Sequence, residues 1–124
     1  MFNVELSVGG HGGHPVVALR GELDLADVPA VASLLAAALA AGGPSIIVDL
    51  AGLEFIDCCG LGVLMCVMKR SRKGGGELYL AAPQQRVRTV LSLAGLIDVF
   101  SIYPGVDQAV RAARLAQPLS GVAS

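Results

Sequence analysis

Phe55-Ile56-Asp57-Cys58-Cys59-Gly60-Leu61-Gly62-Val63 carries the chain from an extended apolar segment into a second apolar segment that closes on Lys69-Arg70-Ser71-Arg72-Lys73. Residues 48–50 upstream read as the end of a buried strand, Phe55-Ile56 returns toward the core, and a helix is expected over residues 60–73. Asp57 then stands at a helix N-terminus, where unpaired backbone N–H groups and the helix dipole favour an acceptor or an anion. Whatever occupies positions 58 and 59 is presented to that field, and here it is two adjacent thiols.

Working outward, residues 2–8 and 15–20 alternate polar with apolar, and Gly9-Gly10-His11-Gly12-Gly13 between them reads as the turn of a hairpin. Asp27 is placed to cap a helix with Pro29 in its first turn, and Val31, Leu34, Leu35, Ala38 and Leu39 follow at helical spacing. Gly42-Gly43-Pro44 ends that helix. Residues 46–50 form a continuous apolar run, the pattern of a strand covered on both faces in a mainly parallel sheet. Gly74-Gly75-Gly76 stops the helix after Lys73, and residues 77–81 are the next strand. Pro83 opens a third helix with Val87, Val90, Leu91 and Ala94 on one face, terminated by Gly95. Residues 99–102 make a short strand, and Pro104-Gly105 turns into a last helix through Ala109, Val110 and Ala113. Strands alternating with helices predict an α/β domain, a mixed and mainly parallel sheet of about five strands with about four covering helices. The domain is expected to fill residues 1–116, leaving 117–124 as a disordered tail.

Composition narrows the function classes. At 124 residues the chain holds one core and no linker long enough to divide it. Its 54% hydrophobic content and mean hydropathy of +0.68 would fit a membrane protein if concentrated in one place. The most apolar segment, residues 28–41, is Ala-rich, contains Pro29 and Ser33, and falls short of the roughly 20 residues that span a bilayer. Residues 1–8 have no basic region of the kind that opens a signal peptide, so direct membrane insertion is not expected and a cytoplasmic location is. A net charge of −1 argues against sequence-independent nucleic-acid binding, which needs many phosphates neutralised. The three cysteines read as reduced thiols.

A set of ordered blocks carries a resemblance. Asp57-Cys58-Cys59-Gly60-Leu61-Gly62, preceded by Ile46-Ile47-Val48-Asp49-Leu50 and followed by Gly75-Gly76-Glu77-Leu78, resembles the STAS-domain anti-sigma-factor antagonists of bacteria. Gly21-Glu22-Leu23-Asp24 and Leu93-Ala94-Gly95-Leu96 match two further blocks in order, so the resemblance spans residues 3–116. It implies a non-enzymatic interaction module that binds a kinase-like anti-sigma factor and so frees a sigma factor. It also implies that Asp24, Asp57, Cys58, Cys59, Gly60, Leu61, Gly62 and Met65 lie at the partner surface. In that family the first hydroxyl residue after the aspartate is phosphorylated by the partner. Here that place is held by Cys58 and the next by Cys59, so the fold transfers and the phosphorylation switch does not. A subunit of a stress-sensing scaffold or of a lipid-transport ATPase remains open, as do a thiol redox sensor acting through Cys58 and a homodimer.

The residues themselves set further expectations. Cys59 is expected to face the sheet under the helix, and Gly60 and Gly62 to permit a tight turn and close packing. Met65 stands where a dinucleotide fingerprint would need a third glycine, so that reading fails. Leu61, Val63, Leu64, Met65, Val67 and Met68 point in nearly every direction around their helix, so part of that surface is expected to be exposed as an interface. Cys59 and Cys66 would be about 10 Å apart on one helix, beyond disulfide reach. His11 and His14 fall in the Gly-rich turn without a third ligand nearby, so neither a metal site nor a Cys-His catalytic pair is expected. No cofactor motif is present.

Overall fold

The 46–50 run is the spine of the molecule, because its residues are buried on both sides by different partners. In the computed structural model, which describes residues 2–11, 14–23 and 25–116, the elements run β1 (Phe2–His11), β2 (His14–Leu23), a 3-10 turn (Leu25–Asp27), α1 (Val28–Gly42), β3 (Ile46–Ile56), α2 (Cys58–Lys73), β4 (Leu78–Ala81), α3 (Gln85–Leu93), β5 (Ser101–Tyr103) and α4 (Val106–Ala116). The five strands lie in sequence order in one sheet. β1 is antiparallel to β2, while β2, β3, β4 and β5 are parallel neighbours. Parallel neighbours need crossover connections, and α1, α2 and α3 supply them. Crossovers of one hand, stepping the same way along the sheet, put all three helices on one face.

Period-two alternation sorts the two cores. Val17, Val48 and Leu80 are register partners on the face covered by α1, α2 and α3, where they join Val31, Leu35, Leu64 and Leu91 in the larger cluster. Val16, Ile47 and Tyr79 are the adjacent row on the opposite face, packed with Ala109, Val110 and Ala113 of α4. The stretch Leu25–Gly42 is long and apolar enough by composition to cross a membrane, but Val31, Leu35 and Ala38 turn the helix's buried stripe onto the sheet.

Several sequence expectations need correction. The β-hairpin arms run through Gly9 and Gly10 to His11, with a register irregularity after Ser7, so His14 is a strand residue and not part of a glycine turn. β3 is one strand of 11 residues rather than a short strand followed by a return. It continues because register shifts against β2 accommodate Ala51-Gly52, where a Cβ at Gly52 would meet Arg20 Cγ at 2.7 Å. Asp27 stands at the N-cap of α1 without a side-chain capping bond, since Pro29 in the first turn removes one of the N–H groups such a cap would serve. α3 begins at Gln85 rather than Pro83, and Ala94 is its exposed C-cap, not part of its buried face. β5 begins at Ser101. The expected tail, 117–124, lies outside the described residues.

Candidate functional site

Asp57 creates the site by leaving β3 in an extended conformation, φ −99° and ψ −178°, and turning the next residue into a helix. Its Oδ1 accepts a hydrogen bond from the Gly60 N–H at 3.0 Å, and its carbonyl accepts from the Leu61 N–H at 3.0 Å. Its own N–H donates to the Leu23 carbonyl at 3.4 Å. One residue thus caps α2 and ties the helix start to the end of β2.

The helix starts at Cys58, two residues earlier than the sequence indicated, and that phase decides which side chains face out. Cys58 and Gly62 are exposed, Cys59 and Met65 half-buried, and Gly60 and Leu61 buried. Gly60, not Cys59, lies against the sheet: a Cβ there would fall 2.7 Å from Ile56 Cγ1 and 3.0 Å from Leu23 Cδ2. A Cβ at Gly62 would meet nothing within 4 Å among the described residues, so no close packing there requires a glycine. Gly60 and Leu61 therefore underlie the surface rather than form it. Loss of surrounding water, then the Asp57 carboxylate and Cys58, push the Cys59 thiol above its ordinary value and keep it protonated.

The expectation of an exposed apolar interface along α2 is overturned. Leu61, Val63, Leu64, Val67 and Met68 are all buried, because α1 and the sheet enclose the helix from different sides. What remains outside is a stripe of Cys58, Gly62, Cys66 and Lys69, with Met65 at its edge. Cys58 and Cys66 are two turns apart on it, about 12 Å at the usual rise and beyond disulfide reach.

Two large exposed apolar side chains at the same end of the sheet as the start of α2 were not singled out from the sequence. Leu25, in the 3-10 turn after β2, is 67% exposed, and Phe55, which pairs with Glu22 at the end of β3, is 45% exposed. Period two from Leu53 would have put Phe55 on the buried face, and the break between Leu53 and Ile56 is what leaves it outside; no sequence signal marks Leu25 either. Asp24, the other expected acid, falls outside the described residues. Among the described residues no group of three or more His, Cys, Asp or Glu could hold a metal ion.

The architecture and the capped helix define an α/β domain that presents one helix N-terminus at the edge where its parallel strands end. The chain belongs to the STAS domain family, which matches it over residues 5–109. It is similar to the anti-sigma-F factor antagonist RsfA of Mycobacterium tuberculosis, 29% identical over 104 residues that cover 82% of this chain and 81% of RsfA. An anti-sigma-B factor antagonist of Staphylococcus aureus is 28% identical over 91 residues, 73% of this chain and 84% of that protein. The crystal structure of an anti-sigma factor antagonist from Mycobacterium paratuberculosis superimposes with a TM-score of 0.78 at 29% identity, covering 90% of this chain and 95% of that one.

Proposed function

We propose that this protein is an anti-sigma factor antagonist: a binding module, not an enzyme, that engages a kinase-type anti-sigma factor in the bacterial cytoplasm and so releases a sigma factor. The observation that carries the reading is the surface at the start of α2. There Cys58 and Gly62 are exposed at the end of the sheet that also carries the exposed apolar side chains of Leu25 and Phe55, in a family whose relatives are anti-sigma factor antagonists. Asp24, Asp57, Cys59 and Met65 complete the proposed contact, and Gly60 and Leu61 hold it from beneath. Large apolar side chains left in water gain free energy when a partner covers them.

Cys58 stands where the resemblance puts a phosphoacceptor hydroxyl, and a thiol there does not take the phosphate. In such a complex a phosphoryl group would bring about two negative charges onto the contact surface. Without it, the antagonist stays competent to bind. No observation favours a scaffold subunit, a lipid-transport complex or a thiol sensor over this reading.

Calorimetric titration against the kinase-type anti-sigma factors of the same cell tests it. At least one should bind, and Gly62→Arg, which adds a long side chain into open space without disturbing the fold, should weaken binding at least a hundredfold with an unchanged melting temperature. Absence of binding to every such factor overturns the reading. In the same mixture with ATP, intact mass should show phosphate on Cys58→Ser and none on the native chain.

A further inference from the structure

At the opposite end of the sheet, where the parallel strands begin, a cleft of about 670 Å³ is open. β3, which starts at the cleft, runs about 30 Å before reaching Asp57, so this is a separate place from the partner surface. Its rim is built from the beginnings of β2, β3 and β5, at His14, Ser45 and Ser101, and Tyr79 and Tyr103 form its aromatic wall.

The described lining of the cleft carries one carboxylate and no cationic side chain. α1 ends at its edge at Gly42, and the glycines that close α2 stand beside it. Each helix C-terminus carries roughly half a negative elementary charge. Glu77 supplies the carboxylate. Arg72, outside the lining, holds Glu77 through Nε at 2.9 and 3.2 Å and sends Nη2 away to the Val99 carbonyl at 2.9 Å. That fixes the carboxylate and offsets part of its charge. Lys73 and Arg70, on the last turn of α2, stand in solvent.

The wall chemistry agrees with that lining. Tyr79 and Tyr103 meet as a tilted pair, centroids 5.9 Å apart and planes at 46°, and ring faces attract cations. Burial, Tyr103 and Glu77 push the Tyr79 phenol above its ordinary value, as an environment hostile to anions would. His14, nine-tenths buried in the same wall, leaves Nε2 without any hydrogen-bond partner in the protein. A buried polar atom of that kind wants a partner from outside the chain, either a ligand donor or a water that a ligand orders.

We propose that this cleft binds a small organic cation, its amine or quaternary ammonium group seated on the partly exposed Tyr103 ring, which the buried Tyr79 backs, with the Glu77 carboxylate as counter-charge. Phosphorylated ligands are the wrong class, since the described lining offers them neither a cationic side chain nor a helix N-terminus. The inference does not depend on the anti-sigma reading, because the isolated chain suffices to test it.

The experiment is an NMR titration of the full chain with choline, putrescine and ATP, each against a matched sodium chloride control, following the Tyr79, Tyr103 and His14 ring signals. Choline or putrescine should give saturable shifts at these three residues at low-millimolar concentration or below, and ATP none. Choline alone would assign the quaternary class, and putrescine alone the primary amines. Tyr103→Leu, at a partly buried position, and Glu77→Gln should each weaken the response at least fivefold while the remaining spectrum is retained. Absence of saturable shifts with both cations, equal binding of ATP, or full retention of binding in both variants overturns the proposal.

Discussion

Gly60 and Gly62 are separated by about 200° around a helix that advances 100° per residue, so they cannot share a face. Gly60 faces inward, and a methyl group there would press on Ile56 and Leu23, both buried. Gly60→Ala should therefore lose about 1–3 kcal/mol, the usual range for overpacking a closed core. Gly62→Ala meets open space and removes a flexible residue from a helix, so it should be neutral or gain about 0.5–1 kcal/mol. Urea denaturation of the two variants decides, and equal effects would refute the assigned phase. Asp57→Ala should lose about 1 kcal/mol with the cap, whereas Asp57→Asn keeps an acceptor for the Gly60 N–H and should keep most of the stability. Any loss of partner affinity in Asp57→Asn then measures the charge alone. The two glycines read alike in the sequence because their spacing was visible and the starting residue of the helix was not.

At the scale of elements, α2 shows how far an apolar pattern can be read. Its content promised burial, yet the sequence does not say how many neighbours will share the burial, and α1 takes the side that would otherwise be exposed. The end of the same helix was legible, since three glycines after Lys73 announce a stop. What they do individually depends on geometry. Gly76 donates to the Ser71 carbonyl at 2.8 Å and Gly75 to that of Arg72 at 3.1 Å, with Gly75 at φ +88°, a Schellman closure. Gly74→Ala, at an ordinary φ with Pro44 Cβ 3.3 Å away, should change stability least. Gly75→Ala meets no neighbour but forces a left-handed backbone, at about 1–2 kcal/mol. Gly76→Ala would place a Cβ 2.5 Å from the carbonyl carbon and oxygen of Pro44, where only backbone movement gives relief, so it should be the most destabilising of the three. Thermal melts of the series check that ranking; a different order would mean that the α2–β4 connection relaxes more freely than its contacts indicate.

Across the whole molecule, the parallel α/β plan followed from strands alternating with helices, and the ordered blocks marked the β3–α2 junction while leaving the first residue of α2 two positions late. The opposite end was not legible, because a cleft made by strand beginnings and helix ends has no contiguous signature, and His14 was masked by the glycines around it. That end also governs the response to alkali. The Tyr79 phenol in the fold ionises above its ordinary value, first because it is buried and then because Tyr103 and Glu77 disfavour another negative charge. The Cys59 thiol, at the other end, is shifted in the same direction. In the unfolded chain both groups ionise at their ordinary values, so raising the pH stabilises the unfolded state before the folded one. Their contribution is fully present below the ordinary thiol value, declines first through the thiol range, and declines again above about pH 10, where free tyrosine ionises. Cys59→Ala should remove the first decline and Tyr79→Phe should flatten the second, each in urea midpoints measured from neutral to strongly alkaline pH. If Tyr79→Phe loses stability as steeply as the native chain above the tyrosine range, the phenol is not held neutral by the fold, and the cation preference assigned to the cleft loses one of its supports.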